Sequence, residues 1–98
     1  EGYSVLLTAS SNYKKALTVE NGSAENGANV IEAPFTNSDS QKFIVTDNGD
    51  GTYAILTKAS NGAAGLDVFA FSMENGGNIN QWSYWGGTCQ KWLIEKEK

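Results

Sequence analysis

The sequence predicts an all-β chain of eight short strands, built as two copies of one four-strand unit. Three observations carry this reading. Short runs rich in β-branched and aromatic residues recur along the 98 residues. Asn-Gly, Asn-Gly-Asp-Gly and Gly-Gly stretches punctuate them. No stretch sustains a helical apolar period with caps over three turns.

The elements follow in order. Tyr-Ser-Val-Leu-Leu-Thr predicts a first strand at 3–8. Strands at 16–19 and 29–33 flank the Asn26-Gly27 turn, and the single proline, Pro34, lies beyond the second of them. Gln-Lys-Phe-Ile-Val-Thr predicts a strand at 41–46, and Thr-Tyr-Ala-Ile-Leu-Thr one at 52–57. The Asp47–Gly51 stretch between them faintly resembles a calcium loop, but it lacks a distal glutamate at the right spacing and reads as a tight turn. Strands at 65–68, 78–82 and 90–95 complete the set, with Gly86-Gly87 before the last.

Self-comparison gives the repeat. At a shift of 49 residues, Leu17 falls on Leu66, Val19 on Val68, Glu25-Asn26-Gly27 on Glu74-Asn75-Gly76, and Gln41-Lys42-Phe43 on Gln90-Lys91-Trp92. With one more residue in the preceding loop, Tyr3, Leu6, Ala9 and Ser10 match Tyr53, Leu56, Ala59 and Ser60. The expectation is a single domain over 1–98, with repeat one at 1–49 and repeat two at 50–98.

Composition narrows the function. A net charge of -4 without arginine argues against nucleic acid, which needs a basic stripe. No apolar run approaches the roughly 18 residues of a membrane helix. Glu1 does not open a signal peptide, so the chain reads as cytosolic or already trimmed. One cysteine, Cys89, makes no internal disulfide. It also has no histidine to activate it as a nucleophile. The expectation is no enzyme, no metal and no cofactor.

The second copy carries LDV at 66–68, ENGGNINQW at 74–82 and QKW at 90–92. This combination resembles the ricin-type β-trefoil lectins, and most of all the family 13 carbohydrate-binding modules of secreted polysaccharide-degrading enzymes. The resemblance covers essentially the whole chain, twice. It implies a β-trefoil, of which two repeats are present here and a third is absent or supplied by another chain. In each unit the first and fourth strands would line a barrel, and the second and third would form a capping hairpin. It also implies an extracellular, non-catalytic module. The partners would be a xylan, arabinan or galactan type of polysaccharide, or its terminal sugar, and a glycoside hydrolase module in the parent chain.

The differences between the copies locate the expected site. Asp67, Asn80, Gln81 and Trp82 stand where copy one has Thr18, Ile31, Glu32 and Ala33. A sugar needs a flat apolar plate for its C–H face and polar groups for its hydroxyls. Strand alternation puts Asn80 and Trp82 on one face, with Ile79 and Gln81 on the other. By resemblance, Asp67 accepts from two adjacent hydroxyls, Trp82 stacks, Asn80 lies beside the sugar and Gln90 belongs to the Gln-x-Trp motif. Gln41 recurs in the copy without these residues, which favours a loop-holding role for both glutamines. Trp85 stands opposite Thr36 of copy one and either widens the plate or covers the hairpin. The expected ligand set is therefore Asp67, Asn80, Trp82, Gln90, Gln81 and Trp85.

The sequence departs from the family at three places. Cys89 replaces an asparagine that usually helps hold the sugar. Tyr84 and Gly65 replace a hairpin cysteine pair, so packing must hold that hairpin. Two units also supply only four of six barrel strands. The third unit could lie elsewhere, another copy of the chain could complete the barrel, or loops could collapse over the gap. Unpaired edges favour a partner segment or self-association, a homo-oligomer among the options. Tyr3, Val5, Phe43, Tyr53, Ile55 and Trp92 would face the gap. The competing function is a β-trefoil interaction or spacer domain that binds no sugar.

Overall fold

The computed structural model describes residues 2–68 and 78–93. The expected Glu74-Asn75-Gly76 turn and the end of the last expected strand, beyond residue 93, lie outside them. Two hairpins set the plan. β1 (Lys15–Val19) pairs antiparallel with β2 (Val30–Pro34). β5 (Ala64–Val68) pairs the same way with β6 (Ile79–Ser83). Between the hairpins, β3 (Phe43–Asp47) and β4 (Tyr53–Thr57) form a continuous antiparallel ladder. Backbone bridges at Ser4↔Phe43 and Tyr53↔Trp92 flank that ladder. The first and fourth segments of each unit therefore line the barrel, and the second and third form its hairpins, as in a β-trefoil.

The core draws on both units. Val19, Phe43, Ile55 and Leu66 are its buried centre, with Leu6, Leu17, Val30, Ile79 and Trp92 packed around them. Phe43 is fully buried, contrary to the expectation that it faces a gap. Ile55 and Trp92, also expected at the gap, do line an apolar cleft of about 160 Å³, together with Leu6, Leu17 and Val30 of unit one and Leu66 and Ile79 of unit two.

One expected strand, at 3–8, is shorter than the sequence suggests. Segment 3–8 makes only the bridges Ser4↔Phe43 and Leu7↔Ala16, and Trp92 makes one bridge to Tyr53. A ladder needs a neighbour along its whole length. β3 and β4 provide that for each other, whereas segment 3–8 meets β3 at Ser4 and β1 at Leu7, with a single bridge to each. Gln41 and Gln90, expected inside strands, instead end equivalent 3-10 turns, Asp39–Gln41 and Thr88–Gln90.

Those two glutamines act alike. Gln41 Oε1 accepts from the Thr36 N–H at 2.8 Å, and its Nε2 donates to the Pro34 carbonyl at 2.8 Å. Gln90 Oε1 accepts from the Trp85 N–H at 2.9 Å, and its Nε2 donates to the Ser83 carbonyl at 3.0 Å. Each buried amide ties its own loop to the end of its own hairpin, which satisfies the donors and acceptors that burial removes from water.

Gln81 joins the two units. It is fully buried. Its Oε1 accepts from Thr57 Oγ1 at 2.5 Å, and its Nε2 donates to the Ser23 and Glu25 carbonyls of unit one at 2.9 and 3.1 Å. Its backbone extends the junction through Gly27 N–H to the Gln81 carbonyl and Gln81 N–H to the Ala28 carbonyl. The Ser83 N–H donates to Asn26 Oδ1, and Asn78 Nδ2 donates to its repeat equivalent Asn29, each at 2.8 Å.

The linker between units is a turn, as expected. Gly49 and Gly51 adopt φ of +85° and +91°, conformations open to glycine at little cost. The Asp50 carboxylate accepts from both the hydroxyl and the N–H of Thr52, and pairs with Lys91 Nζ at 3.1 Å. The Thr52 bonds first, and Lys91 after them, hold the Asp50 pKa down at about 2.

Two outcomes follow from these contacts. Gln81→Ala should lower unfolding stability by about 2–4 kcal/mol, because it strands two carbonyls and a hydroxyl at the junction. A urea midpoint unchanged from the parent chain would contradict this role. In an NMR pH titration, the Asp50 carboxyl should have its midpoint near 2. Its folded pKa lies below the ordinary 3.8, so its stabilising contribution is present above that value and fades as pH falls towards 2. A midpoint at an ordinary carboxylate value would contradict the bonding described.

Candidate functional site

The β5–β6 register assembles the site. Asp67 stands directly opposite Asn80, and Gly65 opposite Trp82. Residues opposed in an antiparallel pair share a face, so Asp67, Asn80 and Trp82 lie on one side of the hairpin. Asp67 and Asn80 are buried, at 7% and 2% exposure, while Trp82 is 42% exposed. The result is a recessed polar pair beside an accessible indole. The indole Cζ3 lies 3.9 Å from the place a Cβ on Gly27 would take, so the plate leans over the unit-one turn.

Asn80 Oδ1 is buried and, among the described residues, is the side-chain polar atom left without a hydrogen-bond partner. Such an acceptor is costly unless something donates to it. Beside it, the Asp67 carboxylate accepts from the Cys89 thiol at 3.5 Å. Burial, and then the bond to Asp67, raise the Cys89 pKa above its ordinary value, so the thiol stays protonated at neutral pH. Cys89 is therefore a donor to Asp67, though a weak one.

The structure separates the six expected residues. It brings Asp67, Asn80 and Trp82 together. It places Gln81 in the interior, with both ends of its amide bonded within the protein. Gln90 likewise spends both ends of its amide on the loop at 82–86. These two glutamines therefore support the hairpin from behind the exposed face. Trp85 is 59% exposed and lies against Gly87, where a Cβ would fall 2.1 Å from its ring. That contact folds it over its own loop. Cys89 joins the site although it was not in the expected ligand set. Its signal in the sequence was the resemblance, which places it where an asparagine usually helps hold the sugar.

Packing replaces the expected cysteine pair. The Tyr84 ring lies 3.6 Å from the place a Gly65 Cβ would take, with the Ile55 carbonyl at 3.1 Å. The missing side chain at Gly65 lets the β4 backbone and the Tyr84 ring close on the hairpin. Copy one offers no comparable face: Thr18 bonds Gln41 and the Ala16 carbonyl, and Ile31 and Ala33 are apolar. Among the described residues, no group of three His, Cys, Asp or Glu side chains could hold a metal ion.

The comparisons agree with this architecture. The model of the ricin-type beta-trefoil lectin domain-like family matches residues 1–82, and the chain belongs to that family. A designed three-fold symmetric protein, ThreeFoil, superposes with a TM-score of 0.86 and 41% identity over 94% of this chain. An exo-beta-1,3-galactanase from Clostridium thermocellum does so with a TM-score of 0.85 and 35% identity over 95% of it. A mosquitocidal holotoxin shares the fold at a TM-score of 0.73 and 22% identity over 87% of the chain. The chain spans 63%, 19% and 10% of those three proteins respectively. No curated protein sequence matches it.

The site geometry makes Cys89 a poor nucleophile. Alkylation of the native protein at neutral pH should run at least about tenfold slower than in denaturant, and should speed up only as the solution becomes alkaline. Equal rates in the two states would contradict a buried thiol bonded to Asp67.

Proposed function

We propose that the chain is a non-catalytic carbohydrate-binding module that takes one neutral sugar unit on the Asp67, Asn80 and Trp82 face. The observation that carries this is the orphan acceptor, Asn80 Oδ1, buried opposite the Asp67 carboxylate. Two acceptors at the foot of an exposed indole call for a ligand with adjacent donors and a flat apolar face. A pyranose has both. A free cation would satisfy the acceptors but leave the indole without purpose. The Asp67 carboxylate makes a neutral sugar the better guest, because a uronic acid would bring like charge against it.

The galactanase likeness favours a plant-type polysaccharide, β-1,3-galactan before xylan or arabinan. In this reading the module works outside the cell and tethers a glycoside hydrolase to its polymer. One aromatic plate and a few hydroxyl contacts give weak binding, on the order of 0.1–1 mM, which multiple contacts along a polymer convert into retention.

Affinity gels containing galactan, xylan or arabinan test this directly. The chain should be retarded by at least one of them, most strongly by galactan. Trp82→Ala and Asp67→Ala should each remove the retardation, while Thr18→Ala should leave it unchanged. Retardation that survives both site variants would sink the assignment. A chain that no glycan retards would favour an interaction or spacer domain.

A further inference from the structure

Unit one closes the outer edge of β6. Asn80 bridges Asn29 there. The Gln81 N–H donates to the Ala28 carbonyl at 2.8 Å, and the Gln81 carbonyl accepts from the Gly27 N–H at 2.7 Å. At Ser83 this run of backbone bonds passes to a side chain. Asn26 Oδ1 accepts from the Ser83 N–H at 2.8 Å and from the Ser83 hydroxyl at 3.1 Å. Both chain neighbours of Trp82 are therefore fastened to the unit-one turn, Gln81 by backbone bonds and Ser83 by Asn26.

The indole needs that hold more than its neighbours in the site do. Asp67 and Asn80 are buried and directly opposed, so the hairpin itself fixes them. Trp82 is exposed, and its cross-strand partner on β5 is Gly65, which has no side chain to brace it. The indole edge instead meets the turn at Gly27. Gly27 stands at a φ of +88°, where a residue with a side chain would be strained. The plate is thus set by the turn it leans on and by the two residues that carry its backbone. Of the contacts that set it, the pair of bonds to Asn26 depends on an exposed side chain and not on the ladder. It can be removed without touching Gln81.

We propose that unit one supplies a working part of the unit-two site: Asn26 is a positioning residue that, through Ser83, holds Trp82 in place beside the Asp67–Asn80 pair. The inference rests on the sugar reading of that face and adds that the site is shared between the two units. Sugar affinity and the inter-unit contact are then coupled in both directions. A sugar resting on Trp82 steadies the Ser83–Asn26 bonds by the same factor as those bonds strengthen its binding.

Three variants of the full chain test this. Asn26→Ala removes both bonds from Ser83, whereas Asn26→Asp keeps an acceptor oxygen in the same place. Asn29→Ala removes the bond from Asn78 Nδ2 at the other end of the same edge, and so reports a general loosening of the junction. Affinity gels of galactan, xylan or arabinan, run well below each melting temperature, compare the folded proteins. Asn26→Ala should weaken retention about five- to tenfold, Asn26→Asp should bring it back to within about twofold of the parent chain, and Asn29→Ala should leave it near the parent value. Without any sugar, the Trp82 indole N–H signal in NMR should move in Asn26→Ala and return in Asn26→Asp. Unchanged retention in Asn26→Ala, no recovery in Asn26→Asp, or an equal loss in Asn29→Ala overturns the positioning role and leaves the sugar reading standing. A parent chain that no glycan retards overturns the sugar reading instead. The sugar-free indole signal then decides the positioning role, and a signal that Asn26→Ala does not move overturns it.

Discussion

The two units are held in register by the β3–β4 ladder and, between the hairpins, by the buried side-chain amide of Gln81. Neither unit has a closed core of its own; Val19 and Phe43 from one and Ile55 and Leu66 from the other make one cluster only when the units meet at the right angle. Apolar burial supplies most of the favourable free energy but is indifferent to direction. Direction comes from the β3–β4 ladder and, between the hairpins, from Gln81, which is fully buried and bonded to Thr57 in its own unit and to two carbonyls in the other. A buried amide with every partner in place is sensitive to small displacements, because a missed bond costs more than a made one contributes. The β5–β6 hairpin hangs from this anchor, and so does the position of Trp82 relative to the unit-one turn.

Within that frame, inward-facing and outward-facing positions have followed separate rules. Leu17 and Leu66, Gln41 and Gln90, and Phe43 and Trp92 keep the same kind of side chain because each copy needs the same core and the same loop tie. Asp67, Asn80 and Trp82 replace a threonine, an isoleucine and an alanine with no change of hairpin register. The pairing Thr18↔Ile31 in one copy and Asp67↔Asn80 in the other is the same pairing. A site can therefore be placed on one copy and omitted from the other while the backbone stays the same.

Much of this is legible in the sequence because it is local or repeated. The strands announce themselves by composition and by the glycine and asparagine turns between them, and β1 to β6 fall within two residues of their expected limits. The common face of Asn80 and Trp82 follows from alternation alone. What escapes is what depends on distant partners. Gln81 reads as a ligand amide because it sits between Asn80 and Trp82, and nothing in the sequence says that the loop at 23–25 reaches it. The contact between Cys89 and Asp67 spans 22 residues and has no local mark. The outer barrel segments read as full strands because Tyr3 to Thr8 has strand composition. Composition does not report that the segment at 3–8 crosses from β3 to β1 and makes a single bridge with each.

Of two units with the same backbone plan, one is proposed to carry the sugar site. An NMR titration of the indole N–H signals with a galactan oligosaccharide tests it most directly. Trp82 is accessible beside Asp67 and Asn80, whereas Trp92 is bound into the barrel, its Nε1–H donating to the Leu66 carbonyl at 3.3 Å. The predicted result is a saturable shift of the Trp82 signal that fits a single site, with the Trp92 signal unmoved. A Trp82 signal that stays still, or moves no more than that of Trp92, would contradict it.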